Sequence, residues 1–397
     1  MTDFETAAAL LGGLLMLGSL ISGLAHRSFL ALTPVFVITG FLLGEGGLQV
    51  LQFDPRSGFV EILAVTALVV ILFRDGLDVE EEMLRTAWRL PLRNLVLAMP
   101  LTGAIVALAA KALTDLSWTE AFLLGALLSP TDPVLSSGVV TNPRVPRIIR
   151  HSLNLESGMN DGLALAPVLA LIAALAADQG DFVWWRFVAQ DVGLGLVYGV
   201  VIALAAAAIL PSPRKLAAGI APHQRALYAL GAALLTYGSA TLLPHGNGLI
   251  AVFVGAIVLG IRRPDLAEVV EQRADDLVEI VKLGIFLVFG SLLSVGGLFG
   301  DGWAAVAILL VTLFVARPLA VGIALAGTGT ARPAKAFMAW FGPKGVATMT
   351  FALLVLSAGF GASERLFNLA ALVVFASTIL HGASDTPGVE WIARRSG

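Results

Sequence analysis

The sequence predicts an all-α membrane protein of about 13 transmembrane helices, arranged as inverted repeats with two unwound helices that cross at spans five and twelve. Three observations carry this. Of the 397 residues, 57% are hydrophobic and only 13% charged, whereas an ordinary soluble domain is roughly a quarter charged and needs that polar surface to cover its core. The apolar stretches recur at lengths near the ~20 residues that a helix needs to cross hydrocarbon. Two of them, in matching places of the two halves, are interrupted near their middles by proline and glycine.

Hydropathy and breaker residues place the spans near 5–24, 30–44, 58–74, 92–113, 119–140, 146–176, 189–210, 223–243, 247–261, 277–296, 303–326, 334–357 and 365–381. Asp3 and Glu5 precede the first stretch, where a secretory leader would carry basic residues, so it reads as a retained span. Positive charge tests the count. Loops after odd-numbered spans, with the tail, hold 18 Lys and Arg; the even loops hold only Arg56, Lys111, Arg186 and Arg365. Such an asymmetry would collapse if one span were missed, and it puts the N-terminus outside and the C-terminus in the cytoplasm of a cell (inner) membrane. Lys282, Arg317 and Lys344 fall inside or at the edge of spans. Lys282 is expected to start span ten and snorkel to the cytoplasm.

Composition also excludes. The net charge of −3 and the lack of a basic domain argue against nucleic acid. Without cysteine there are no disulfides and no thiolate metal sites. No cofactor is expected. No loop is long enough for a soluble domain, so residues 1–385 read as a single membrane domain followed by a short cytoplasmic tail, 386–397. The stretch Arg262 to Glu279 reads as a solvated, amphipathic cytoplasmic connector helix.

The two interruptions concentrate the chemistry. The fifth span reads Leu128-Ser129-Pro130-Thr131-Asp132-Pro133-Val134 near its middle, and two prolines flanking a Thr-Asp pair remove donors and disfavour helix before them. The twelfth reads Trp340-Phe341-Gly342-Pro343-Lys344-Gly345-Val346. By the span count these helices run antiparallel, each central in a set of three, spans four to six and eleven to thirteen. Paired breaks in matching positions mark an inverted-repeat transporter with its site at the midplane, where exposed backbone must be satisfied by protein, water or an ion.

Span six opens with Asn154-Leu155-Glu156-Ser157-Gly158-Met159-Asn160-Asp161-Gly162. Ionisable groups in a span are costly and mark pathways. Helical spacing puts Ser157 and Asp161 on one face, with Glu156 and Asn160 beside them. A solvated capping cluster is the alternative, but Arg144, Arg147 and Arg150 already supply that end, and Glu156 lies nearly two turns further in. Thr131, Asp132, Ser157 and Asp161 together offer carboxylate, hydroxyl and backbone oxygen, ligands suited to a hard cation. Arg317 needs an anion, and Glu156 is the leading candidate. Lys344 would set a fixed charge against a half-helix C-terminal dipole.

Here the residues resemble a known family. Ser129-Pro130-Thr131-Asp132-Pro133 followed by Glu156-Ser157-Gly158-Met159-Asn160-Asp161-Gly162 is similar to the signature of the monovalent cation:proton antiporter superfamily. The Asn160-Asp161 pair resembles its NhaP/NHE-like (CPA1-type) branch. Leu72-Phe73-Arg74-Asp75-Gly76-Leu77 and the run Gly248 to Gly255 are supporting matches. Gly342-Pro343-Lys344-Gly345 resembles the family's Gly-x-Arg-Gly, with Lys where Arg is usual. The resemblance implies a homodimer, a scaffold of about 1–85 and 220–297, a linker helix of about 189–210, and a mobile core of about 92–177 and 303–381. It also implies that Asp161 carries ion and proton in turn, with Asp132, Thr131 and Ser157 assisting. Asn160 would steady the unwound fifth helix, and Glu156 would pair with Arg317.

The implied activity is exchange of Na+, or of Li+ or K+, for H+, not an enzymatic reaction. A carboxylate that holds either a proton or a cation couples the two flows, and one titrating residue makes the exchange electroneutral. Two other classes compete: a cation channel lined by the same oxygens, and an intramembrane protease using Asp132 and Asp161, for which no Gly-x-Gly-Asp motif is present.

Overall fold

In the computed structural model of the chain, unbroken apolar runs become long helices and each proline-glycine interruption becomes a gap between shorter ones. The structure describes residues 32–55, 58–79, 88–132, 137–140, 142–177, 182–211, 220–243 and 246–396, with isolated positions before residue 32. The expected first span, Pro133 and Val134 of the fifth-span motif, and Arg27, Arg56, Arg85, Arg214 and Lys215 lie outside them. Among the described residues all regular structure is helical.

The helices are α1 (Leu32–Leu43), α2 (Gly58–Leu77), α3 (Arg89–Leu113), α4 (Trp118–Leu127), α5 (Ser137–Val140), α6 (Arg147–Ala176), α7 (Trp184–Ile209) and α8 (Pro222–Leu242). They continue with α9 (Gly248–Arg262), α10 (Pro264–Ser291), α11 (Val295–Leu298), α12 (Trp303–Ala324), α13 (Arg332–Trp340), α14 (Val346–Ala358) and α15 (Ser363–Ser396). Five of them, α3, α6, α7, α12 and α15, are long and apolar enough to cross a membrane; α4, α9 and α14 are shorter and apolar. Turns of wider π-helix interrupt α3 at Asn94–Ala98 and α12 at Thr312–Ala316.

Local signals explain the boundaries. Ser117 accepts from the Glu120 amide while the Glu120 carboxylate accepts from the Ser117 amide, a capping box that starts α4. Asn247 accepts from the amides of Leu249 and Ile250 and starts α9. The connector and span ten are not separate: once Pro264 has opened α10, no breaker stops it before Ser291. Lys282, expected with its amine in water at a span's start, is instead inside this helix and buried.

The chain forms two compact units, Met1–Ala64 with Arg89–Glu156 and Lys282–Gly397, and Val65–Trp88 with Ser157–Val281; α2, α6 and α10 contribute to both. In the first, α3 and α4 touch backbone to backbone, since a methyl at Gly125 would overlap the Gly103 carbonyl. Val145, Ile149, Leu153, Val321, Phe337 and Phe341 belong to one buried cluster that joins α6, α12 and α13. In the second, α7 packs on α9, and Arg263 closes the end of α7 by donating to the carbonyls of Leu210 at 2.9 Å and Pro211 at 3.1 Å while pairing with Asp265 at 2.8 Å.

Candidate functional site

Both interruptions are non-helical where the structure describes them. Helix α4 ends at Leu127, and residues 128–132 continue as turn and extended chain. Residues 341–345 separate α13 from α14. The two segments meet. The Asp132 amide donates to the Pro343 carbonyl at 2.8 Å, and its carboxylate accepts from the Val346 amide at 3.3 Å. Val346 opens α14, so the carboxylate sits at that helix's positive end. In return, the Lys344 amine donates to the carbonyls of Pro130 at 3.1 Å and Ser129 at 3.5 Å, just past the negative end of α4. Each break supplies a hydrogen-bond partner to the other's helix end.

The glycines of the second break are required by contact. A methyl at Gly345 would overlap the Asp132 side chain, and one at Gly342 would overlap the Arg317 guanidinium.

Beside this contact lies a buried polar group. Glu156 accepts from Arg317 at 2.8 Å through one oxygen and from the Asn94 amide group at 2.9 Å through the other. The Thr131 hydroxyl donates to Glu156 at 3.4 Å. The second Arg317 terminal nitrogen donates to the carbonyls of Met338 at 3.1 Å and Phe341 at 3.4 Å, at the end of α13. A guanidinium offers several fixed donors, so Arg317 joins α12, the carboxylate on α6 and the last turn of α13. Asn94 opens the π turn of α3, and Arg317 directly follows that of α12.

The structure therefore brings together Thr131, Asp132, Glu156, Arg317 and Lys344. Lys344 reaches the carbonyls of the other break, not those of its own helix. Ser157, Asn160 and Asp161 continue along α6 in the second unit; Asn160 and Asp161 are buried and Ser157 is half-buried. In that unit a methyl at Gly162 would overlap the Phe253 ring, Gly158 lies against the Asp75 carbonyl, and Gly76 packs on Ala256. The motifs from Leu72 to Leu77 and from Gly248 to Gly255 are thus the surfaces on which the carboxylate-bearing part of α6 rests.

Three polar residues were not anticipated. Asn94 is a lone amide at the start of an apolar run, and that isolation was the available signal. Ser377 and His381 are buried four residues apart in α15; their spacing was visible, but not what they face.

Comparison with known proteins agrees with this architecture. A family described as sodium/hydrogen exchanger, transmembrane, matches residues 13–391. Among curated relatives, a K(+)/H(+) antiporter NhaP of Alkalimonas amylolytica is 29% identical over 385 residues, covering 96% of this chain and 66% of the relative. The chain thus spans slightly less than two thirds of that relative's length. The Na(+)/H(+) antiporter 1 of Methanocaldococcus jannaschii is 24% identical over 370 residues, covering 89% of this chain and 84% of its own. The solved structure of the antiporter MjNhaP1 from the same archaeon, at pH 8, superposes with a TM-score of 0.83 at 20% identity, over 99% of this chain and 100% of that one. With nearly its whole length matched, the chain belongs to the transmembrane sodium/hydrogen exchanger family.

Proposed function

We propose that this chain is a secondary active antiporter that exchanges a monovalent cation for H+ by alternating access, with Asp161 as the group that carries each in turn. The observation that carries the reading is the mutual closure of the two breaks by Asp132 and Lys344. Broken helices whose ends meet in mid-bundle create polar backbone at membrane depth, the construction that transporters use around a bound ion. Asp161 follows Glu156 by five residues in the sequence of helix α6. Asp132, Thr131 and Ser157 are assigned the remaining oxygen ligands, and Asn160 a steadying role beside them. Glu156, Arg317 and Lys344 hold the framework. The transported ion is substrate, and no cofactor enters.

The scheme extends to about 13 spans in inverted repeats, with the crossing segments as the unwound helices of spans five and twelve. The N-terminus lies outside and the C-terminus in the cytoplasm of the cell membrane. The chain pairs as a homodimer through a scaffold of about 1–85 and 220–297, and the core of about 92–177 and 303–381 moves when Asp161 is neutralised by proton or cation. Na+ is the first ion to test and K+ the second, since relatives carry both names.

Proteoliposomes with a trapped pH dye test the proposal. Added Na+, Li+ or K+ should dissipate an imposed pH gradient with wild type and not with Asp161→Asn. Cation flux without proton movement would favour a channel, and full activity of the variant would remove Asp161 from its role.

A further inference from the structure

Helix α15 touches the second break at two points, and a histidine joins them. The Lys344 amide donates to the Ser377 hydroxyl at 2.9 Å. Four residues on, His381 places Nε2 2.9 Å from the Trp340 carbonyl and Nδ1 3.1 Å from the Ser377 hydroxyl. The indole of Trp340 donates to Ser384 at 2.9 Å, and its ring stacks on His381 with centroids 5.1 Å apart. Trp340 is the last residue of α13, and Lys344 is the fourth of the five residues that follow. One face of α15 therefore grips the break at both ends.

The hydrogen bonds assign the protons. A carbonyl cannot donate, so Nε2 carries the hydrogen that faces Trp340. The Ser377 oxygen already accepts from the Lys344 amide, leaving its own hydrogen for Nδ1. With its hydrogen on Nε2 the imidazole donates to the Trp340 carbonyl, while Nδ1 faces both the Ser377 hydroxyl at 3.1 Å and the Ser377 carbonyl at 2.8 Å.

We propose that Ser377 and His381 are positioning residues that clamp the Trp340–Lys344 segment to α15 and thereby fix Lys344 and its partner Asp132 where the two breaks meet. Their effect passes through Lys344, whose amide Ser377 holds, through Trp340, whose carbonyl His381 holds, and through Pro343, whose carbonyl receives the Asp132 amide. The functional consequence rests on the antiport reading; the clamp itself does not.

The experiment pairs a structural readout with a transport one, on the full chain in lipid. Hydrogen exchange of the 341–348 backbone is compared in wild type, Ser377→Ala, His381→Leu and His381→Gln. Ser377→Ala leaves the buried Lys344 amide without its side-chain acceptor, and His381→Leu removes one of the two donors to the Trp340 carbonyl, the Gly342 amide being the other. The loss of either buried hydrogen bond is enough to raise local opening up to about tenfold, so both variants should exchange faster there. His381→Gln, whose amide can donate to Trp340, should return most of the protection. In the dye assay the first two should raise the apparent cation KM about tenfold, with Gln again intermediate. Unchanged protection in both Ser377→Ala and His381→Leu overturns the clamp. Faster exchange with an unaltered KM overturns its positioning role. If wild type itself exchanges no ion, the antiport reading fails, and hydrogen exchange alone decides the clamp.

Discussion

Asp132 and Lys344 each complete the other's helix: the carboxylate of one caps the start of α14, and the amine of the other covers the carbonyls past α4. A cap needs an acceptor, not a charge. Asp132→Asn should therefore keep the thermal stability of the purified protein, whereas Asp132→Ala should lower it by about 0.5–2 kcal/mol. Both should impair exchange, because both remove the carboxylate. Equal unfolding temperatures for Asn and Ala would mean that the Val346 contact contributes nothing.

The Glu156–Arg317 pair is buried on both sides. Arg317→Ala leaves a carboxylate in the interior and should cost about 3–5 kcal/mol. Glu156→Gln retains an acceptor for Arg317 and should cost less. A double-mutant cycle on thermal unfolding reads the coupling directly, and additive effects of the two changes would show that the pair acts independently.

Gly345→Ala and Gly342→Ala press a methyl into Asp132 and Arg317 respectively. Each should destabilise by about 1–3 kcal/mol, and Gly345→Ala should also slow exchange by displacing Asp132. Gly322→Ala, where nothing lies within contact distance, is the control and should behave like wild type in the same melting assay.

Arg263, by hydrogen-bonding Asp265, holds that carboxylate below its ordinary range. The sign follows: the pair's contribution is whole above the ordinary carboxylate value, about pH 4, and is lost as pH falls through the depressed one. The unfolding temperature of wild type should drop more steeply with acid than that of Asp265→Asn. Parallel slopes would remove the pair from the acid response.

What the sequence disclosed and what it withheld divide along physical lines. Pro130, Pro343 and the two glycines punctuate the backbone locally, so the breaks were legible from single residues. Charge balance in hydrocarbon restricted the partner of Arg317 enough to name Glu156. Asn94 was hidden because its role depends on a π turn that no residue type announces. The destination of Lys344 was hidden as well, since the carbonyls that it meets lie 214 and 215 positions away in the chain. Helix α10 ran longer than expected because amphipathic and apolar segments join without a seam when no breaker stands between them.

The π turns carry one residue more than the regular spiral around them. Glu156 takes its two shortest hydrogen bonds from Asn94, which opens one such turn, and from Arg317, which follows another. Removing a single amino acid from Leu95–Ala98 would let α3 rewind and swing Asn94 round by about 100° relative to the rest of the helix. The carboxylate's surroundings are in this sense spelled by a head count: along those stretches the protein can change letters more freely than it can lose one.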